Sequence, residues 1–388
     1  MNYNFMDNTF WQTQRMIADP LADELVDELM TSGEYLNSRD LMGKLMKNND
    51  LVSFKASNSI PIPIHKFLIE TSNLPIWLDI NKIKIAQRVG TNYNIEGAFV
   101  LLFKSLPMCY CMAKGAKVLH TTGRLLADKE SFDINKDSTT TFLHRVMMSL
   151  QFVEDVAQFD GFNESGSAIV TTQKVRLVHS SIRNFIKEKI PNWNNEELGV
   201  PINQEDLLFT LTTFSVGMIQ GLSIMGIKLT DEEKESYMHL WRVIGYILGI
   251  SEELLPKNYQ EGINFQSGII DREATYSKEG NDLMTSVVNL IEFILPGNVS
   301  NIFVVNLVHH FIGDKICNCV GIEPTSNTVK FRVKLIRKFF IIIAKLEENN
   351  TFIGKFVRYI VNKVVKYVIN KLNGNKEIMF RPPIDLVG

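Results

Sequence analysis

Apolar residues recur along this chain at spacings of three and four, the signature of helices with one buried face. Leu21, Leu25, Val26 and Leu29 form one such face, with acids opposite. Residues 97–112 are apolar enough for a buried helix, interrupted at Pro107. Residues 139–159 predict another helix, followed by the turn-rich FDGFNESG at 159–166. Residues 170–190 are helical and stop ahead of Pro191. The stretch 201–225 opens with Pro-Ile-Asn-Gln-Glu-Asp, a helix-start composition that sets acids near the positive end of the dipole. Thr230 is the expected N-cap of a helix over 231–248. The pattern continues through 282–295, 301–320, 327–348 and 352–372. NSIPIPI at 58–64 predicts a break, because alternating prolines cannot continue a helix. No βαβ rhythm, internal repeat or glycine-rich phosphate loop interrupts the series, so the expected fold class is all-α.

The last predicted helix, 352–372, is strongly amphipathic. Ile353, Phe356, Val357, Ile360 and Val364 share its apolar face, while Lys355, Arg358, Lys363, Lys366 and Lys371 lie off it. Eleven Lys/Arg between residues 330 and 372 meet only two acids, Glu347 and Glu348. A packed terminal helix with a solvated basic face is the favoured expectation, and peripheral contact with an anionic membrane surface is the alternative. The longest purely aliphatic and aromatic runs, 98–103 and 339–344, each end at a lysine. They fall short of the ~20 apolar residues that a spanning helix needs.

Composition narrows the classes. Hydrophobic residues make up 45% of the 388 and charged residues 22%, which excludes a mainly disordered chain. Lys+Arg 41 against Asp+Glu 43 leaves a formal charge of −2, so a dedicated nucleic-acid binder is not expected. Four cysteines cannot form a disulfide scaffold. The N-terminus has no basic region followed by an apolar run and no twin-arginine pair. The expected location is therefore the cytoplasm, with reduced thiols.

Candidate chemistry concentrates on two helices. In KVRLVHSSIR, residues 174–183, His179 lies three residues after Arg176 and four before Arg183. Such neighbours project to roughly the same side of a helix. Two nearby cations would hold the imidazole neutral, the form that ligates a metal. The same arginines could pair with a dianionic ligand such as heme propionates. Spacing alone still favours a satisfied core histidine. In HRVMMSLQFVED, residues 144–155, Arg145 and Ser149 share a face and could bind an anion or steady a bound oxygen species. A surface ion pair for Arg145 and simple burial of Ser149 are the blander expectation. The pairs Cys109/Cys111 and Cys317/Cys319 suggest zinc, but zinc sites use wider spacing in loops. Within helices such neighbours point ~200° apart, so buried structural thiols are expected. His309–His310 diverge for the same reason, and His239 in YMHLWRVIGY reads as a core histidine ahead of a ligand. No Gly-x-Ser-x-Gly elbow and no HExxH occurs.

Taken together in order, LHTTGRLL, HRVMMSLQFVEDV, KVRLVHSSIR, VPINQEDLLFTLTTFSVGMIQGL and YMHLWRVIGYILGI resemble the family of latex-clearing protein (rubber oxygenase) and the MpaB-type oxygenases. The resemblance covers residues 95–260 well and the flanks loosely, with FRPP near the C-terminus also fitting. It implies a globin-like helical core (95–320) that binds heme b, with helical extensions at 1–94 and 321–388. It assigns His179 as the iron ligand, and Arg176, Arg183 and Arg145 to heme binding. It further assigns Arg145, Ser149 and Glu130 to catalysis, Glu130 only by approximate position. Serine replaces the family's threonine at 149 and keeps the hydroxyl. Met148 stands where a lysine of latex-clearing protein can occupy the distal iron site.

The implied activity is a heme-dependent oxygenase, a dioxygenase that uses dioxygen on an apolar unsaturated substrate, by oxidative cleavage of a carbon–carbon double bond. A cytoplasmic location would put extracellular rubber out of reach and favour a smaller isoprenoid or unsaturated lipid. The alternatives are a non-catalytic heme or gas-binding sensor, and an apo helical lipid-binding protein.

Overall fold

Helix follows helix through the computed structural model, which describes residues 8–31, 62–123, 126, 137–163, 166–294 and 301–323. The chain runs α1 (Asn8–Arg15), α2 (Pro20–Thr31), α3 (Ile62–Glu70), α4 (Ile80–Asn92) and α5 (Asn94–Val100). A π-turn (Leu101–Ser105) leads into α6 (Leu106–Tyr110) and α7 (Ala113–Thr121). Then come the two long helices α8 (Asp137–Ala157) and α9 (Ser167–Lys189), and the short α10 (Asn195–Leu198). The series continues with α11 (Gln204–Phe214), α12 (Val216–Met225), α13 (Asp231–Ile247), α14 (Tyr259–Glu273), α15 (Lys278–Ile294) and α16 (Asn301–Cys319). The architecture is all-α. Among the described residues the one β-type pairing is an isolated bridge between Met112 and Ala274. The predicted helices over 327–348 and 352–372, and with the latter the membrane-surface question, lie outside the described residues. So do Glu130 and the C-terminal FRPP.

Local chemistry explains most boundaries. Thr230 caps α13 through a reciprocal capping box with Glu233. Asn203 caps α11 by accepting from the Asp206 N–H. Pro63 lies in the first turn of α3, where a missing N–H costs nothing, so the proline-rich stretch ends in a helix start at Ile62. The expected interruption at Pro107 takes another form. The Leu106 N–H reaches back five residues to the Leu101 carbonyl, so the ladder widens into a π-turn and helical structure continues through the proline. The single helix expected over 201–225 is two, because Ser215 departs from helical angles between α11 and α12. Among the described residues, the one stretch long and apolar enough to cross a membrane is Gln204–Met225. It does so by length and composition alone. Its most apolar window is 72% buried within the fold, as a central core helix would be.

Three apolar clusters hold the helices together. The largest unites Trp11 of α1 and Ile83 of α4 with the faces of α11 to α16, so the described part of 1–94 shares a core with the helices beyond it. A second joins α2 and α3 to α9 through Leu25, Leu29, Phe67, Leu68 and Leu177. The third, Val118, Met148, Val178, Ile182 and Ile186, sits where α7, α8 and α9 meet.

Candidate functional site

Helix α9 carries two stripes with different tasks. At about 100° per residue, Val175, Val178, His179 and Ile182 fall on one face. That face lines a cavity of about 260 Å³ bounded by residues of α1, α6, α7, α8, α11, α13 and α14. Arg176, Ser180, Arg183 and Lys187 fall on the neighbouring stripe, which meets α2. There Arg176 donates to both carboxylate oxygens of Asp19, at 2.5 and 2.7 Å, and to the Ile247 carbonyl at 3.0 Å. Arg183 clasps Asp23 at 2.7 to 3.0 Å, and Ser180 donates to the Ala22 carbonyl. The two arginines that spacing sets beside His179 are thus turned to α2, and neither lines the cavity. They lock the histidine's helix in place from behind.

His179 itself is deep in the fold yet keeps partial accessible surface, because its ring faces the cavity. It makes no hydrogen bond among the described residues. Burial first, then the Arg183 and Arg145 charges, hold its pKa down to about 3. The imidazole is therefore neutral on the cavity wall. That departs from the satisfied core histidine favoured by spacing alone. Of the two cations expected to act on it, Arg183 does so, and Arg145 takes the part foreseen for Arg176.

Helix α8 supplies Arg145, Met148, Ser149 and Phe152 to the same cavity. Ser149 donates its hydroxyl back to the Arg145 carbonyl at 3.2 Å and leaves its oxygen as an acceptor. Met148 packs in the third cluster, a thioether on the wall. Phe214 and Trp241 stack at 5.1 Å, and Phe152 meets both edge-on. The cavity thus brings together His179, Arg145, Met148 and Ser149 from distant parts of the sequence.

A second polar region lines the cavity and was not singled out from the sequence. Arg15 of α1 lies between Glu205 (3.4 Å) and Asp206 (3.3 Å) at the start of α11. Arg272 joins Glu205 to Glu273, and Lys114 binds Glu273 at 2.9 Å. Burial pushes the Asp206 carboxyl up against the pull of Arg15. The acids that read as ordinary helix-start residues are one half of a buried ionic network. Four consecutive polar residues, Asn203 to Asp206, ahead of an apolar run were the available signal.

The remaining candidates are structural. Cys111, Cys317 and Cys319 are buried and Cys109 half-buried, and burial raises the thiols of Cys109 to about 11 and of Cys317 to about 12. His239 accepts the Asp79 backbone N–H at 2.9 Å beside Trp77, fastening the loop ahead of α4 to α13. His309 pairs with Asp314 at the surface. Among the described residues no group of three or more His, Cys, Asp or Glu could hold a metal ion. An iron at His179 would have to arrive with its own equatorial ligands, as in a porphyrin. A lone neutral imidazole, apolar walls and a cavity arginine suit such a group.

Residues 102–340 match the family model described as "ER-bound oxygenase mpaB/B'/Rubber oxygenase, catalytic domain". The chain belongs to this oxygenase family. The Rubber oxygenase of Streptomyces sp. (strain K30) is 21% identical over 307 residues, which span 78% of this chain and 70% of that protein. The structure of latex clearing protein LCP in the closed state superposes with a TM-score of 0.70 and 16% identity. That match covers 85% of this chain and 84% of the other, and shows a shared fold.

Proposed function

We propose that this member of the oxygenase family binds heme b through His179 and oxidises an apolar unsaturated substrate, an isoprenoid or a lipid, at a carbon–carbon double bond. The observation that carries this reading is the neutral, unbonded His179 imidazole on the wall of a largely apolar cavity. A bound heme would supply an iron able to activate dioxygen. The protein's own contributions come from its side chains. His179 would hold the iron through its neutral imidazole. Arg145 would hold a propionate or another anionic oxygen with a charge-assisted hydrogen bond. Ser149 keeps an acceptor on the same wall. Val118, Val178, Ile182, Phe152 and Phe214 hold the hydrocarbon and exclude water. Arg176 and Arg183 keep α9 in register against α2.

The test is an ultraviolet–visible spectrum of the purified protein, as isolated and after dithionite. A Soret band is expected, and a folded His179→Ala variant should lack it. Full heme occupancy in that variant would refute the assignment. Oxygen uptake with unsaturated lipids separates the oxygenase from a gas-binding sensor.

A further inference from the structure

An isoleucine stands fully in water at the tip of the turn between α3 and α4. The Leu78 N–H donates to the Pro75 carbonyl at 3.0 Å, so Ile76 and Trp77 are the two central residues of that turn. Ile76 is 104% exposed, and Ile80, the first residue of α4, is 48% exposed. Turn tips favour Gly, Asn, Asp and Ser, so the turn itself gains nothing from an isoleucine there. A single apolar side chain on a surface needs no explanation, but this one is not single. Of the eight large apolar side chains exposed among the described residues, four are isoleucines between residues 62 and 80.

The tip is held rigidly. The Trp77 ring meets His239 and Tyr246 edge-on at 5.7 and 6.0 Å, and Arg242 lies over it at 3.8 Å. Its Nε1 donates to Glu252 at 2.6 Å, and the Asp79 N–H donates to His239. These contacts fasten the turn to α13 and the segment that follows it, while Ile76 and Ile80 stay in solvent.

The charge beside the tip is positive. Residues 62–92 carry Lys66, Lys82, Lys84 and Arg88 against Glu70 and Asp79. Both acids are engaged. Glu70 lies 3.9 Å from Lys66, and Asp79 caps α4 by accepting from the Asn81 and Lys82 N–H groups. Arg242 is opposed by Glu252 and Glu261. Lys82, Lys84 and Arg88 are exposed and make no ion pair among the described residues. At about 100° per residue, Ile80, Lys84 and Arg88 follow one solvent stripe of α4, so the apolar tip runs directly into a basic stripe.

We propose that this tip docks on an anionic bilayer surface. Ile76 and Ile80 enter the acyl boundary, and Lys84 and Arg88 meet the headgroup phosphates. A standard protein interface takes ~800 Å² from each partner, which one projecting turn does not supply. Lipids close around a projecting side chain, and basic residues beside it stay with anionic headgroups. None of these side chains lines the His179 cavity, so the contact is separate from whatever the cavity holds.

The experiment is co-sedimentation of the full-length protein with phosphatidylcholine vesicles, either pure or with about 30% phosphatidylserine. The protein should pellet with the anionic vesicles at low salt and be released at about 0.5 M salt, where surface attraction is screened. Ile76→Ser combined with Ile80→Ser should weaken partitioning about 10-fold or more, through lost apolar burial. Lys84→Glu combined with Arg88→Glu should do the same through lost surface attraction. All four positions are exposed, so the variants should keep the parent's thermal melt. A parent that stays in the supernatant overturns the proposal. So does pelleting that survives in both variants, which would put the contact elsewhere on the chain. A concentration-dependent dimer that the isoleucine variant abolishes would put a second copy on the tip and overturn it too. The readout needs no heme, so a missing Soret band bears on the oxygenase reading alone.

Discussion

Arg176 and Asp19 form a two-point ion pair, at 2.5 and 2.7 Å, that ties the histidine-bearing helix α9 to the entry of α2. Asp19 is 3% exposed, and the guanidinium also lies over the Phe67 ring at 5.7 Å. Removing one partner of such a pair strands the other charge in the interior, at ~3–5 kcal/mol. Asp19→Ala should therefore lower stability by about that amount, as read by urea unfolding, with or without the proposed heme. A loss confined to the heme-bound form would instead make Arg176 a ligand of the cofactor.

Arg145 should behave differently. It lines the cavity, and its charge reaches both His179 and Tyr110. Arg145→Met should weaken heme retention by more than any change in the urea midpoint of the heme-free protein accounts for. Heme transfer to apomyoglobin should be faster by about 10-fold or more, since a hydrogen bond to a charged group contributes ~1.5–3 kcal/mol. Unchanged transfer would remove Arg145 from the heme site.

His239 makes the fold sensitive to acid. Burial and then Lys82 hold its pKa at about 4, below the usual 6.5, with Asp79 opposing. The unfolded chain takes up this proton near pH 6.5 and the folded chain only near 4. The contribution to stability is full above 6.5 and is lost as pH falls toward 4. The urea midpoint should be lower at pH 5 than at pH 7. His239→Gln, which keeps an acceptor for the Asp79 N–H but cannot titrate, should reduce that difference and leave the part contributed by His179, whose pKa is held down to about 3. An unaltered pH dependence in the variant would contradict the assignment.

Two glycines of α12 should respond with opposite signs to alanine. A Cβ at Gly221 would lie 2.5 Å from both Val100 methyl groups, whereas one at Gly217 meets nothing nearer than 3.6 Å. Gly221→Ala should cost ~1–3 kcal/mol through overpacking. Gly217→Ala should gain up to ~1 kcal/mol from helix propensity. Thermal melts of the two variants decide the point, and a stabilised Gly221→Ala would show that α5 and α12 have room between them.

The sequence by itself determined the helices, because their causes are local. Thr230 and Glu233 cap α13 within four residues, and the apolar spacing of Val175, Val178 and Ile182 marks an inward face without reference to any other helix. The five ordered motifs likewise carried the family. Helical spacing also put Arg145 and Ser149 on one face. The partner that each side chain meets was decided only by tertiary structure, since that depends on what packs opposite. His179 and Arg176 are three residues apart, yet about 60° of rotation sends one toward a cavity and the other to Asp19 on α2, 157 residues away in the chain. Glu205 and Asp206 read as dipole-compatible helix starters, and only the approach of α1 and α14 makes them the anions of a buried network.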